Sequence, residues 1–88
     1  MRVIGIDPGS VTTGYGIVEY REGLMRHIDN GAISPAGKLS FPARLQAIYR
    51  ELASLIERHQ PDAVVIENVF FSKNARSALL RVFGGRRQ

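Results

Sequence analysis

Two acidic residues, Asp7 and Glu67, close the two most apolar short runs of the sequence, Val3-Ile4-Gly5-Ile6 and Ala63-Val64-Val65-Ile66. Carboxylates brought together at the ends of neighbouring strands repel each other unless a cation or a shared proton lies between them. A hard, oxygen-seeking ion such as Mg²⁺ meets that need, and phosphate oxygens would complete its coordination. Two such ions flanking a phosphodiester would support in-line displacement by water. Each acid alone has a plainer use: Asp7 opens an Asp-Pro-Gly turn, and Glu67 ends a strand. Their joint placement is what favours metal chemistry.

That placement depends on the elements that carry the two acids. Arg2 to Ile6 is apolar on both faces and reads as a buried central strand, stopped by Pro8-Gly9. A second strand is expected from about Gly14 to Tyr20, a turn at Arg21-Glu22-Gly23, and a third strand within Leu24 to Ser34. Three strands joined by short turns make an antiparallel meander. Pro35 to Lys38 breaks the pattern.

Phe41, Leu45, Ile48, Tyr49, Leu52, Leu55 and Ile56 then recur at steps of three and four, the signature of one helix face. Ser40 suits the N-cap, Pro42 is tolerated in the first turn, and Pro61 ends the helix. Asp62 to Glu67 reads as a fourth strand, and Asn74 to Phe83 as a final amphipathic helix stopped by Gly84-Gly85. The expected order is β-β-β-α-β-α. A helix of that length permits a right-handed crossover, which lays the fourth strand parallel to the first. Asp7 and Glu67 then share the carboxyl edge of the sheet, where open α/β sheets place their ligands.

Composition narrows the partners. The chain has 88 residues and no cysteine, which excludes disulfide scaffolds, thiolate metal sites and cysteine nucleophiles. That length suits one small domain, burying roughly 60–65% of its unfolded surface and leaving its stability marginal. No apolar run is long enough to span a membrane, and no basic start leads into a long apolar stretch, so a cytoplasmic location without membrane contact is expected. Residues 1–67 carry seven Lys or Arg against eight Asp or Glu, whereas residues 68–88 carry Lys73, Arg76, Arg81, Arg86 and Arg87 and no acid. A basic block beside a nearly neutral body is the footprint of a polyanionic partner, or simply a solvated tail. Lys73 and Arg76 fall one helical turn apart and could hold a phosphate near Glu67. His27 and His59 lack companions with ligand spacing, and Ser10, Thr12 and Thr13 beside Asp7 are turn hydroxyls of the kind that usually bond the local backbone.

The motifs carry a family resemblance. Gly5-Ile6-Asp7-Pro8-Gly9-Ser10, followed by Thr13-Gly14-Tyr15-Gly16, resembles the opening of the RuvC Holliday junction resolvases. Ile66-Glu67-Asn68-Val69-Phe70-Phe71 and Lys73-Asn74-Ala75-Arg76-Ser77-Ala78-Leu79 are similar to that family's second motif. Two motifs in order, separated by the expected helix, are far more specific than either alone. The resemblance covers residues 1 to about 80.

The resemblance implies an RNase H-like α/β fold and Mg²⁺-dependent hydrolysis of four-way DNA junctions in recombination and repair. Asp7 and Glu67 match the family's first two catalytic and metal-binding acids. Phe70 matches the aromatic that packs on junction bases, a sequence-tolerant use of a π face, with Lys73, Asn74 and Arg76 beside it for DNA. A homodimer is also implied, paired through the last helix with Ala75, Ala78, Leu79 and Val82 on one face, together with RuvA and RuvB as branch-migration partners. The family's domain continues through another strand and further helices bearing two more catalytic aspartates. Residues 1–88 therefore read as an N-terminal part of it, with little nuclease activity expected from them alone. Two other readings stay open: a non-catalytic DNA-binding or dimerising fragment, and an actin- or sugar-kinase-like ATPase segment.

Overall fold

The computed structural model describes residues 1–9, 12–66 and 69–72. The described chain runs β1 (Arg2–Asp7), β2 (Thr13–Arg21), β3 (Leu24–Ile33), α1 (Phe41–His59), β4 (Ala63–Ile66) and β5 (Val69–Ser72). The strands form one five-stranded sheet in the order β3-β2-β1-β4-β5. β1 is thus central, as its apolar composition requires. It runs antiparallel to β2, with Ile6 opposite Tyr15 and Asp7 opposite Gly14. It runs parallel to β4, with Ile4 opposite Val64 and Ile6 opposite Ile66. The nineteen residues of α1 provide the crossover that this parallel pairing needs.

One face of the sheet packs on α1. Ile4, Ile6, Ile17, Val64 and Ile66 from the sheet meet Ile48, Leu52, Leu55 and Ile56 from the helix. Each such side chain contributes about 1.5–3 kcal/mol when fully withdrawn from water, so this interface holds the layers together. The other face is more open than the apolar sequence of β1 and β4 suggests. Val3, Gly5 and Val65 are only half-buried, although Ala63 on the same face is buried.

The ends of α1 follow local chemistry. The Ser40 hydroxyl accepts a hydrogen bond from the Ala43 backbone N–H at 3.3 Å, which caps the helix. Gln60, in the left-handed conformation, closes the other end by donating its N–H to the Ile56 carbonyl. Pro61 follows that cap rather than making it. Phe41 departs from its expected place on the buried face: it is exposed in the first turn, with the Arg44 guanidinium 5.8 Å from its ring centre.

Glu22 and Gly23 both take positive φ, at 52° and 80°, the type I′ combination that suits the twist of the β2–β3 hairpin. In β3, Val18 faces His27 and Ile17 faces Asp29, so Ile28 is a bulge, and it packs against the core. β5, antiparallel to β4, was not expected as a strand; the Val69-Phe70-Phe71 run has the β-branched and aromatic composition that strands favour. The final helix expected over residues 74–83 lies outside the described residues.

Candidate metal and nucleic-acid site

Asp7 is the last residue of β1, and its side chain is exposed. It has no hydrogen-bond or ion-pair partner among the described residues. Gly14 stands directly opposite it on β2, and a Cβ there would lie 4.0 Å from the Asp7 Cβ, which puts both positions on one face. With Gly5 and Gly16 also lacking side chains, a hollow of about 590 Å³ opens beside Asp7, bordered by Gly14, Tyr15, Gly31 and Val65. An open, unpaired carboxylate at the carboxyl edge of a parallel strand pair is an oxygen donor of the kind a hard cation takes.

Gly9, two residues after Asp7, is held by Thr13. Thr13 is completely buried, and its hydroxyl lies 3.5 Å from both the backbone N–H and the carbonyl of Gly9. A Cβ on Gly9 would collide with the Thr12 carbonyl oxygen, so glycine is required there. Thr13 thus serves the local backbone, as turn hydroxyls do. Thr12 does not: its Oγ1 lies 2.9 Å from Ser34 Oγ across the end of the hairpin. Sequence reading passed over Ser34. The signal was the antiparallel register, which sets position 34 opposite position 12 once Thr13 is paired with Ile33.

Glu67, the second expected acid, lies outside the described residues, as do Lys73, Asn74 and Arg76. The parallel ladder reaches Ile6 and Ile66, the residues that immediately precede Asp7 and Glu67 in sequence. Phe70 lies on β5 in register with Val65, a residue that borders the hollow. Among the described residues no group of three His, Asp or Glu is gathered in metal-binding fashion, so Asp7 is the one expected ligand in view.

Among the described residues, Glu19, Asp62 and Asp29 are engaged elsewhere. Glu19 accepts from Arg2 Nε at 2.8 Å, and that hydrogen bond holds its carboxyl below the ordinary range against the opposing effect of desolvation. Arg2 also donates through Nη1 to the His59 carbonyl, tying β1 and β2 to the end of α1. Asp62 Oδ2 accepts from the Arg2 backbone N–H. His59 Nε2 lies 3.6 Å from Asp29 Oδ2 on the α1 side of the sheet. Glu51 borders a separate hollow of about 200 Å³ with Ser34, Pro35 and Ala47.

Comparison with known proteins gives a consistent result. The profile of the family described as Crossover junction endodeoxyribonuclease RuvC matches residues 3–85. The Crossover junction endodeoxyribonuclease RuvC of Geotalea uraniireducens is 53% identical over 79 residues, covering 90% of this chain and 46% of that protein. The protein of the same description from Pelobacter propionicus is 54% identical, covering 90% and 45% respectively. The chain therefore spans about half the length of the curated relatives it matches. Among solved structures, T. thermophilus RuvC in complex with Holliday junction substrate superposes with a TM-score of 0.69 at 25% identity, covering 92% of this chain and 52% of that one. The Aquifex aeolicus PPX-GPPA enzyme superposes at 0.59 with 16% identity, over 92% of this chain and 31% of its own, a likeness of fold alone.

Proposed function

The chain belongs to the RuvC family of crossover junction endodeoxyribonucleases, and we propose that it provides the first part of a divalent-metal nuclease site that cuts four-way DNA junctions in recombination and repair. The observation that carries this reading is Asp7, exposed and unpaired among the described residues at the end of the central strand of an RNase H-like sheet. Residues 1–88 then form part of one nuclease domain. Asp7 and Glu67 act as the metal-holding acids, Mg²⁺ is the ion, and Phe70, Lys73, Asn74 and Arg76 take the DNA. Junction DNA as the ligand is supported by the solved T. thermophilus relative, whose complex contains a Holliday junction substrate. Pairing as a homodimer, work beside RuvA and RuvB, and a cytoplasmic setting extend the same reading. No described helix is long and apolar enough to cross a membrane.

In this site a bound divalent ion supplies charge stabilisation to the phosphodiester and an activated water. The protein's own part is geometric. The Asp7 carboxylate presents oxygen at the end of a central strand, and the Thr13 hydroxyl holds the backbone of Gly9 close behind it. Gly14 leaves the flank of that carboxylate clear, so a nucleic-acid strand can approach without displacing a side chain.

The test is a chimera in which residues 3–85 of this chain replace the matching stretch of the Geotalea uraniireducens relative. It is expected to nick a synthetic four-way junction with Mg²⁺. Asp7→Asn keeps the shape but removes the charge, and should lower the rate at least a hundredfold, an estimate of about 3 kcal/mol in the barrier, with junction binding within about twofold. Undiminished cleavage by the Asn variant would remove Asp7 from the site.

A further inference from the structure

The hydroxyls of Thr12 and Ser34 are both exposed and lie 2.9 Å apart. Asp7, Gly14 and Ala32 form a row across β1, β2 and β3. Thr12 and Ser34 lie one residue beyond the ends of β2 and β3, and the alternation of those strands, continued by that one residue past the buried Thr13–Ile33 rung, carries them to that face. With strands about 4.8 Å apart and a rise of about 3.4 Å per residue, the Thr12 and Ser34 backbones fall about 8 and 12 Å from that of Asp7. Among the described residues, nothing larger than the Ala32 methyl stands in this row beside Asp7. Two hydroxyls that bond each other use one hydrogen between them, which leaves one O–H free to donate outward.

We propose that the Thr12–Ser34 hydroxyl pair binds a backbone phosphate of the DNA strand whose neighbouring phosphodiester lies at Asp7. The inference rests on the nuclease reading above and adds a positioning contact to it. A neutral donor suits this place. It can register a phosphate a short step from Asp7 without bringing a cation that would compete for the carboxylate. Contacts of this kind fix the register of a strand and read no sequence, as a junction-selective enzyme requires. The pair directly follows the last rung of the β2–β3 ladder, Thr13 opposite Ile33, which brings the two hydroxyls to each other.

The test measures binding of the 88-residue chain to a synthetic four-way junction by fluorescence anisotropy over a range of salt. Thr12→Val with Ser34→Ala removes both hydroxyls while keeping similar volumes. Affinity should fall about three- to tenfold, the loss expected for one or two phosphate hydrogen bonds. The slope of log affinity against log salt should stay unchanged, because no cation has been removed. The exchange Thr12→Ser with Ser34→Thr keeps both hydroxyls and should restore binding. Should the doubly altered chain lose its cooperative thermal transition, Ser34→Ala alone carries the test, with a loss of about two- to threefold expected. Unchanged affinity on removal of the hydroxyls, or equal weakening by the exchange, would overturn the inference while leaving the nuclease reading intact. Failure of the unaltered chain to bind the junction would overturn both.

Discussion

Arg2 shows how one side chain can fix the frame around a site it does not touch. Its guanidinium links Glu19 on β2 to the carbonyl of His59 at the end of α1. Because the Glu19 carboxyl is held below its ordinary value of 4.5 in the fold, the link stabilises the native state above that value. The contribution is lost as pH falls through the lowered folded value, where the unfolded chain has already taken up its proton. Urea midpoints at about pH 6 and about pH 3 should therefore fall further apart in the unaltered chain than in Glu19→Gln. An identical acid loss in both chains would show that the Arg2 link carries no such stability. Neither the pairing of residues 2 and 19 nor the carbonyl of residue 59 could be inferred from composition; the link exists only once β1, β2 and α1 meet.

At the scale of the element, the strands that hold Asp7 were legible because their sequences permit one arrangement. Val3-Ile4-Gly5-Ile6 and Ala63-Val64-Val65-Ile66 can be buried only at the middle of the sheet, and the helix between them sets them parallel. The helix was equally plain from the spacing of Ile48, Leu52, Leu55 and Ile56, while Phe41 misled because a first-turn residue can share the periodicity yet overhang the sheet. The bulge at Ile28 and the strand β5 were not legible. A bulge shifts alternation by one residue without a compositional mark, and a run of three apolar residues suits a loop aromatic as well as a strand.

The β2–β3 pairing also contains a close fit that bears on its register. A Cβ on Gly31 would lie 2.8 Å from the Tyr15 hydroxyl and 3.0 Å from its ring carbon Cζ, so the Tyr15 ring occupies the space that the glycine leaves. Gly31→Ala should cost about 1–2 kcal/mol in chemical denaturation, because a half-buried ring packed on the core must shift. In a Tyr15→Ala background the same substitution should cost almost nothing. Equal costs in the two backgrounds would show that the ring and the glycine are not coupled.

For the molecule as a whole, the open face of the sheet is where function and stability divide. The α1 face is closed by apolar packing, whereas the opposite face is glycine-floored and carries Asp7 at its edge. The reading of that face as a metal-dependent nuclease surface rests on Asp7 holding a divalent ion, a role proposed from its open place at the end of β1. Addition of Mn²⁺, a paramagnetic stand-in for Mg²⁺, to the isotopically labelled 88-residue chain tests it directly through the broadening of backbone amide signals. The broadening should be centred on Asp7 and Gly14, fade along β1 towards Arg2, and vanish in Asp7→Asn. Broadening that persists in the Asn variant, or that centres on Glu51 or Glu19 instead, would contradict the account.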